Sequence, residues 1–189
     1  MNAKVKVDNK EFNTFLNVSY DFKQKNERKE PFDTYYYNNR LNEESPIDFL
    51  IRNGFENYLY NMLFVDFVIF NRDRHGANVE VLIDDKDNVR LSPLFDQGLS
   101  LLLSDYDNQK YIDDYDIEKY EPTNSFFGTR STYDNLSFIK NKSQIKKCEL
   151  SKKDMEYIFS DLENILPNYT IKKLKIFIKK RLKLFKDFV

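Results

Sequence analysis

Apolar and polar positions alternate at residues 4–7, "KVKV", and this spacing predicts a short strand. Residues 19–45 are polar with scattered aromatics, which predicts a loop and a broken helix. At "SPIDFLIRNGF" the pattern tightens: Ser45 is placed as an N-cap, Pro46 takes the first helical position, and Gly54 fits the C-terminal cap. From Glu56 to Phe70, "ENYLYNMLFVDFVIF" is apolar on nearly every side, as in a helix buried all round. Such a helix would present whatever follows at Asn71 from a rigid support.

Two alternating runs, 79–83 and 89–91, flank the polar turn "DDKDN" and predict a hairpin. Residues 105–121 carry acids at 105, 107, 113, 114, 116, 118 and 121 against Lys110 and Lys119, with no clear period, and are expected to form a mobile or partly helical loop. "SKKDMEYIFSDLENIL" opens with Ser151 and Asp154 in capping-box spacing and predicts a helix that stops before Pro167. In "TIKKLKIFIKKRLKLFKDFV", apolar residues at 171, 174, 178, 182 and 185 form a helical stripe. The expected fold is α+β and predominantly α: one domain over 1–189, with a helical pair at 151–189 and a small hairpin.

Composition narrows the classes. With 41% apolar and 32% charged residues the chain is expected to be an ordinary globule, and its 17 Phe and 13 Tyr, without Trp, predict an aromatic core. A net charge of −1 argues against a whole-surface nucleic-acid or membrane binder. Cys148 is the lone cysteine, so there is no internal disulfide, and with one histidine there is no Cys/His zinc site. The opening "MNAKVKVDNKEF" holds no apolar signal segment, and the greasiest run is too short to cross a bilayer and is interrupted by Asp66. A soluble cytoplasmic protein is expected. Segment 170–189 carries Lys or Arg at 172, 173, 175, 179, 180, 181, 183 and 186 against Asp187 alone. It reads as the wet face of a packed helix, with the acidic 105–121 stretch as a candidate partner. Nucleic-acid binding through it is the other reading.

Between the buried helix and the hairpin stands "NRDRHGAN". Phosphoryl transfer needs a carboxylate to orient the attacking hydroxyl and oxygen ligands to hold magnesium against the nucleotide phosphates. Protein kinases place an Asn five residues after the first Asp and bring a second Asp, two residues before a Gly, from beyond a hairpin. Asp73 and Asn78 have that spacing, and Asp96-Gln97-Gly98 follows the predicted hairpin, with Pro93, Leu94 and Phe95 anchoring the strand end before it. Each piece is common alone, and a solvated loop plus a turn would satisfy the same spacings. The order of buried helix, loop, hairpin and Asp-x-Gly favours chemistry.

Taken together, "NRDRHGANVEVL" and "LSPLFDQGLSLL" resemble the C-terminal lobe of the HipA-like serine/threonine kinases, a branch distantly similar to phosphatidylinositol kinases. The likeness is strong over 61–103 and thin elsewhere; the central helix, loop and metal-binding hairpin would span 56–103. It implies that Asp73 is the catalytic base or hydroxyl orienter, and that Asn78 and Asp96 hold Mg2+ on the phosphates of ATP. His75 would lie by the phosphates as a nucleotide contact or brace the loop as a structural residue. Arg74 would tie the loop to a carboxylate, and Asn71 would bond backbone at its start. Ala77 stands where family members often carry a lysine.

A complete kinase also has an N-lobe, with a glycine-rich loop and a strand lysine over the phosphates. The four glycines are 54, 76, 98 and 128, so no such loop precedes the site. Residues 1–12 would then be a hinge-strand remnant, with 5–7 passing the adenine edge. The expected protein is a kinase C-lobe without its N-lobe. It would be either the catalytic half of a split kinase, with the missing lobe from a partner and a protein substrate, or a truncated, inactive relative. The latter would serve as an interaction module, for example toward an antitoxin-type partner. Tyr106, Tyr111, Tyr115 and Tyr120 lie where kinases carry an activation segment; a solvated loop is the plainer account.

Overall fold

The structure, a computed structural model, describes residues 2–7, 10–15, 21–102, 106–141, 145 and 149–188. Cys148 and Asp105 lie outside them. Strand β1 (Asn2–Val7) pairs antiparallel with β2 (Lys10–Phe15), with Val5 opposite Phe12. The strand expected at 4–7 is therefore one arm of a hairpin. Strand β3 (Glu27–Pro31) leads directly into helix α1 (Phe32–Asn39), with Pro31 at the N-cap. Helix α2 (Pro46–Arg52) begins as its sequence predicts: Ser45 Oγ accepts the Asp48 amide at 3.1 Å, and Gly54 beyond its end has φ +79°.

Helix α3 (Glu56–Ile69) is the central element, packed against α2, the 3-10 turn at Asp134–Phe138 and the last helix. Leu59, Tyr60, Met62, Leu63, Phe64, Phe67 and Val68 are buried along it. The core around it is aromatic, as the composition suggests: Phe64 meets Phe185 at 4.7 Å between ring centroids, and Phe32 packs on Phe49 and Phe127 at 5.9 and 5.0 Å.

After α3 come a two-residue strand β4 (Asp73–Arg74), a 3-10 turn (Gly76–Asn78), and the predicted hairpin of β5 (Glu80–Asp84) and β6 (Val89–Leu91). The hairpin is two-thirds of a sheet ordered β3-β5-β6. Strand β3 was not expected, because "ERKEP" shows no apolar alternation; its one buried residue, Glu27, is held by Arg90 of β6 at 2.6 and 2.7 Å. A charged edge strand resists stray pairing and leaves no hydrophobic period to read.

The acidic stretch contains a short helix α4 (Gln109–Asp114), and strand β7 (Asn124–Ser125) follows it. Helix α5 (Lys152–Phe159) carries the full capping box of Ser151 and Asp154, but it ends eight residues short of Pro167. Ser160 marks the early stop: its hydroxyl donates to the Tyr157 carbonyl at 2.9 Å, and the chain tightens into a 3-10 turn at Ser160–Leu162. Helix α6 (Asn168–Phe188) closes the described chain. Its basic side does meet the acidic stretch: Lys180 pairs with Glu118 at 3.0 Å, and Lys173 donates to the Asp113 carbonyl at 3.0 Å. Among the described residues, no helix is long and apolar enough to cross a membrane.

Candidate functional site

The site begins where α3 stops. Phe70 takes the left-handed conformation, φ 52°, that usually falls to glycine, and the Asn71 amide turns back to the Asp66 carbonyl at 2.9 Å. A left-handed non-glycine residue costs about 1–2 kcal/mol. Burial of the Phe70 ring offsets that, with the Arg72 and Arg181 guanidinium groups 4.5 and 4.9 Å from its centroid. The turn aims Asn71 inward, where Nδ2 donates to Asp66 Oδ1 at 2.9 Å and Oδ1 accepts the Asp73 amide at 3.2 Å.

Arg74 is the hub. Its side chain is 2% exposed and pairs with Asp66 through Nε to Oδ2 at 3.0 Å and Nη2 to Oδ1 at 2.8 Å. Its Nη1 donates both to the Asn78 carbonyl, 3.1 Å, and to the Phe95 carbonyl, 2.9 Å. One nitrogen thus fastens the end of the loop to the residue preceding Asp96. Phe95 is also stacked on Phe22, 5.8 Å between centroids; β6 ends at Leu91, so Asp96 follows a loop fastened at Phe95 rather than projecting from the strand end its sequence predicts.

Asp73 and Arg74 form a parallel ladder with β7, placing Asp73 beside Asn124. Asn124 Nδ2 donates to Asp73 Oδ1 at 2.8 Å. The other oxygen, Oδ2, faces His75 Nε2 at 3.9 Å, too long for a hydrogen bond, and both side chains reach solvent. Buried Asn78 donates Nδ2 to the Asp73 carbonyl at 2.8 Å. Its Oδ1 accepts nothing among the described residues. Asp96 is exposed with φ 52°, a conformation that aspartate tolerates better than most residues.

The segment after Gly98 is tied to the same loop. The Arg72 amide donates to the Leu99 carbonyl at 2.9 Å, and its guanidinium reaches Glu121, the Leu101 carbonyl and the Tyr115 hydroxyl at 3.1, 2.8 and 2.8 Å. Burial raises the Tyr115 pKa, so this hydroxyl stays neutral and accepts.

Asp73 and Asn78 are joined directly, and Arg74 links Asn78 to the backbone before Asp96. His75 stands beside Asp73 without bonding it. Two residues that matter for geometry had no sequence motif to reveal them. Asp66 showed only as a charge interrupting a greasy run, and Asn124 lies 51 residues beyond its partner. The donor set suits magnesium: a free amide oxygen and a carboxylate are hard ligands, and magnesium takes few protein oxygens when phosphates and water complete the shell. Among the described residues, no group of three or more His, Cys, Asp or Glu is arranged to hold a metal unaided.

No family model matches the chain, and no curated protein does. A solved structure does match. The crystal structure of the Helicobacter pylori proinflammatory kinase CtkA aligns over 96% of this chain and 70% of that one, with a TM-score of 0.56 and 16% identity. The chain has a kinase-like fold. At that identity the likeness is one of backbone, and the site chemistry rests on the side chains described above.

Proposed function

We propose that the chain is the catalytic-lobe half of a HipA-like serine/threonine kinase, carrying out Mg2+- and ATP-dependent phosphoryl transfer with an N-lobe supplied by a partner. One arrangement supports this most directly: Asn78 braces the Asp73 backbone with its amide nitrogen while its amide oxygen accepts nothing among the described residues, and Arg74 fastens the Phe95 carbonyl, next to Asp96, to the same loop. In this reading Asp73 Oδ2 orients the acceptor hydroxyl, while Asn124 holds Oδ1. Asn78 Oδ1 and the Asp96 carboxylate hold Mg2+ on the nucleotide phosphates. Bound there, magnesium would offset the charge on the phosphate oxygens. In this reading His75 would flank the phosphates; its Nε2 stands 3.9 Å from Asp73 Oδ2 and makes no bond to it.

No glycine precedes Gly54, so the loop covering the phosphates and its lysine would come from a partner or from more of the same polypeptide. The described chain alone should then transfer phosphate feebly, since the missing lysine removes several kcal/mol of transition-state stabilisation. Ala77, in place of a lysine, favours a second reading, an inactive relative kept as an interaction module for an antitoxin-type protein. Calorimetry with Mg2+-ATP separates the two. Binding that disappears with Asp96→Ala supports the kinase. Absence of binding, with a lobe-supplying partner present as well, supports the module.

A further inference from the structure

Arg181 of α6 is a second deeply buried cation, and it differs from Arg74 in its partners. It is 5% exposed. Its Nε donates to the Phe67 carbonyl at 2.6 Å and its Nη2 to Thr132 Oγ1 at 3.1 Å, while the Phe67 ring lies 4.1 Å beneath the guanidinium. All of these partners are neutral. Among the described residues no carboxylate pairs with Arg181, and its Nη1 donates to none of them. Burial, with the neighbouring Arg72 charge adding to it, pushes the Arg181 pKa down to about 10. A buried charge without a counter-ion is costly, so an arrangement of this kind calls for an anion.

Space for one exists. A cavity of about 270 Å3 opens over Arg181, with Thr132 beside it and Tyr120 and Tyr133 along its wall. The two tyrosines are 67% and 48% exposed, so their rings are available at the mouth. Two of the acids that also line the cavity are already neutralised: Glu118 by Lys180 at 3.0 Å, and Glu121 by Arg72 and Lys119 at 3.1 and 3.0 Å. Asp134, the third, is exposed. The volume lies just under the usual range of drug-sized sites, about 300–1,000 Å3, which sets an upper limit on ligand size.

We propose that this cavity binds a small aromatic anion, with a phosphate or carboxylate head on Arg181 Nη1 and the Thr132 hydroxyl and a ring against Tyr120 and Tyr133. The site lies under the carboxyl end of α3, one turn before Asn71, and is separate from the Asp73 site and independent of the kinase reading. Arginine is suited to this role because its planar donors match both head groups.

The test is a titration of the full chain, free of Mg2+ and nucleotide, with phenyl phosphate, benzoate and neutral benzyl alcohol, followed by amide chemical shifts. The expected result is saturable binding of at least one anion with shifts centred on Phe67, Thr132 and Tyr133. Arg181→Gln should weaken it about tenfold or more, Thr132→Val should weaken it less, and Asp96→Ala should leave it unchanged. The stronger of the two anions identifies the head group. The proposal is overturned by no saturation with either anion, by equal binding of benzyl alcohol, or by loss of binding in Asp96→Ala. Should Arg181→Gln fail to fold, Thr132→Val and Tyr133→Ala decide, and unchanged affinity in both overturns it.

Discussion

Asp66 and Arg74 form a two-pronged ion pair inside the protein, Oδ1 to Nη2 at 2.8 Å and Oδ2 to Nε at 3.0 Å, and the same two side chains fasten Asn71 and the Asn78 and Phe95 carbonyls. Removing one partner leaves the other charge buried alone. Asp66→Ala is therefore expected to cost about 3–5 kcal/mol in urea unfolding. The double change Asp66→Leu, Arg74→Met should recover much of that stability. It should not recover Mg2+-ATP binding, because the links from Arg74 to the Asn78 and Phe95 carbonyls go with it.

Gly76 separates the loop from α1. A Cβ built there would lie 2.5 Å from the Asp33 Cβ and 3.2 Å from its Cα, so helix and loop would have to part. Gly76→Ala should destabilise the fold by about 1–3 kcal/mol. The double change Gly76→Ala, Asp33→Gly should recover part of the loss, measured by the same unfolding curves.

Asn124 should act on the reaction through Asp73. With its hydrogen bond to Oδ1 gone, the carboxylate is free to rotate away from the acceptor. In a complex with the lobe-supplying partner, Asn124→Ala is expected to lower kcat about tenfold or more while the KM for ATP stays within about twofold. An equal rise in the KM for ATP would place Asn124 in nucleotide binding instead.

Glu44 provides a pH signature away from the site. Arg52 grips both of its oxygens, at 2.6 and 2.8 Å, and holds the carboxyl down to about 2. A carboxyl depressed in the folded state contributes fully above its ordinary value of 4.5, and the contribution is lost as pH falls through that window toward about 2. Glu44→Gln should thus melt lower than the parent chain at pH 7, and the gap should narrow below pH 4.5 and close near pH 2 in thermal scans.

The chain's local signals were legible where one segment carried the whole message. Ser45 and Pro46, the capping box at Ser151, the all-round apolar α3 and the β5–β6 turn each encode their element within a few residues. Strand β3 was hidden because its stabilising partner, Arg90, lies 63 residues away from Glu27. The same limit applies to the site. Asp73, Asn78 and Asp96 stand at fixed offsets around a hairpin, whereas Asn124 reaches Asp73 only through tertiary docking of β7. Arg181 looked like one more charge on a wet helical face, and its burial against Phe67 and Thr132 depends on contacts 114 and 49 residues distant.

The central claim is that Asn78 and Asp96 share one divalent cation. Manganese in place of magnesium tests it most directly, since the paramagnetic ion broadens resonances of nearby nuclei. With ATP and Mn2+ added, the side-chain amide of Asn78 and the backbone amides of Asp73, Asp96 and Gln97 are predicted to broaden first and together, and Asp96→Ala should abolish the effect. Broadening that leaves Asn78 sharp, or that persists unchanged in Asp96→Ala, would contradict the account.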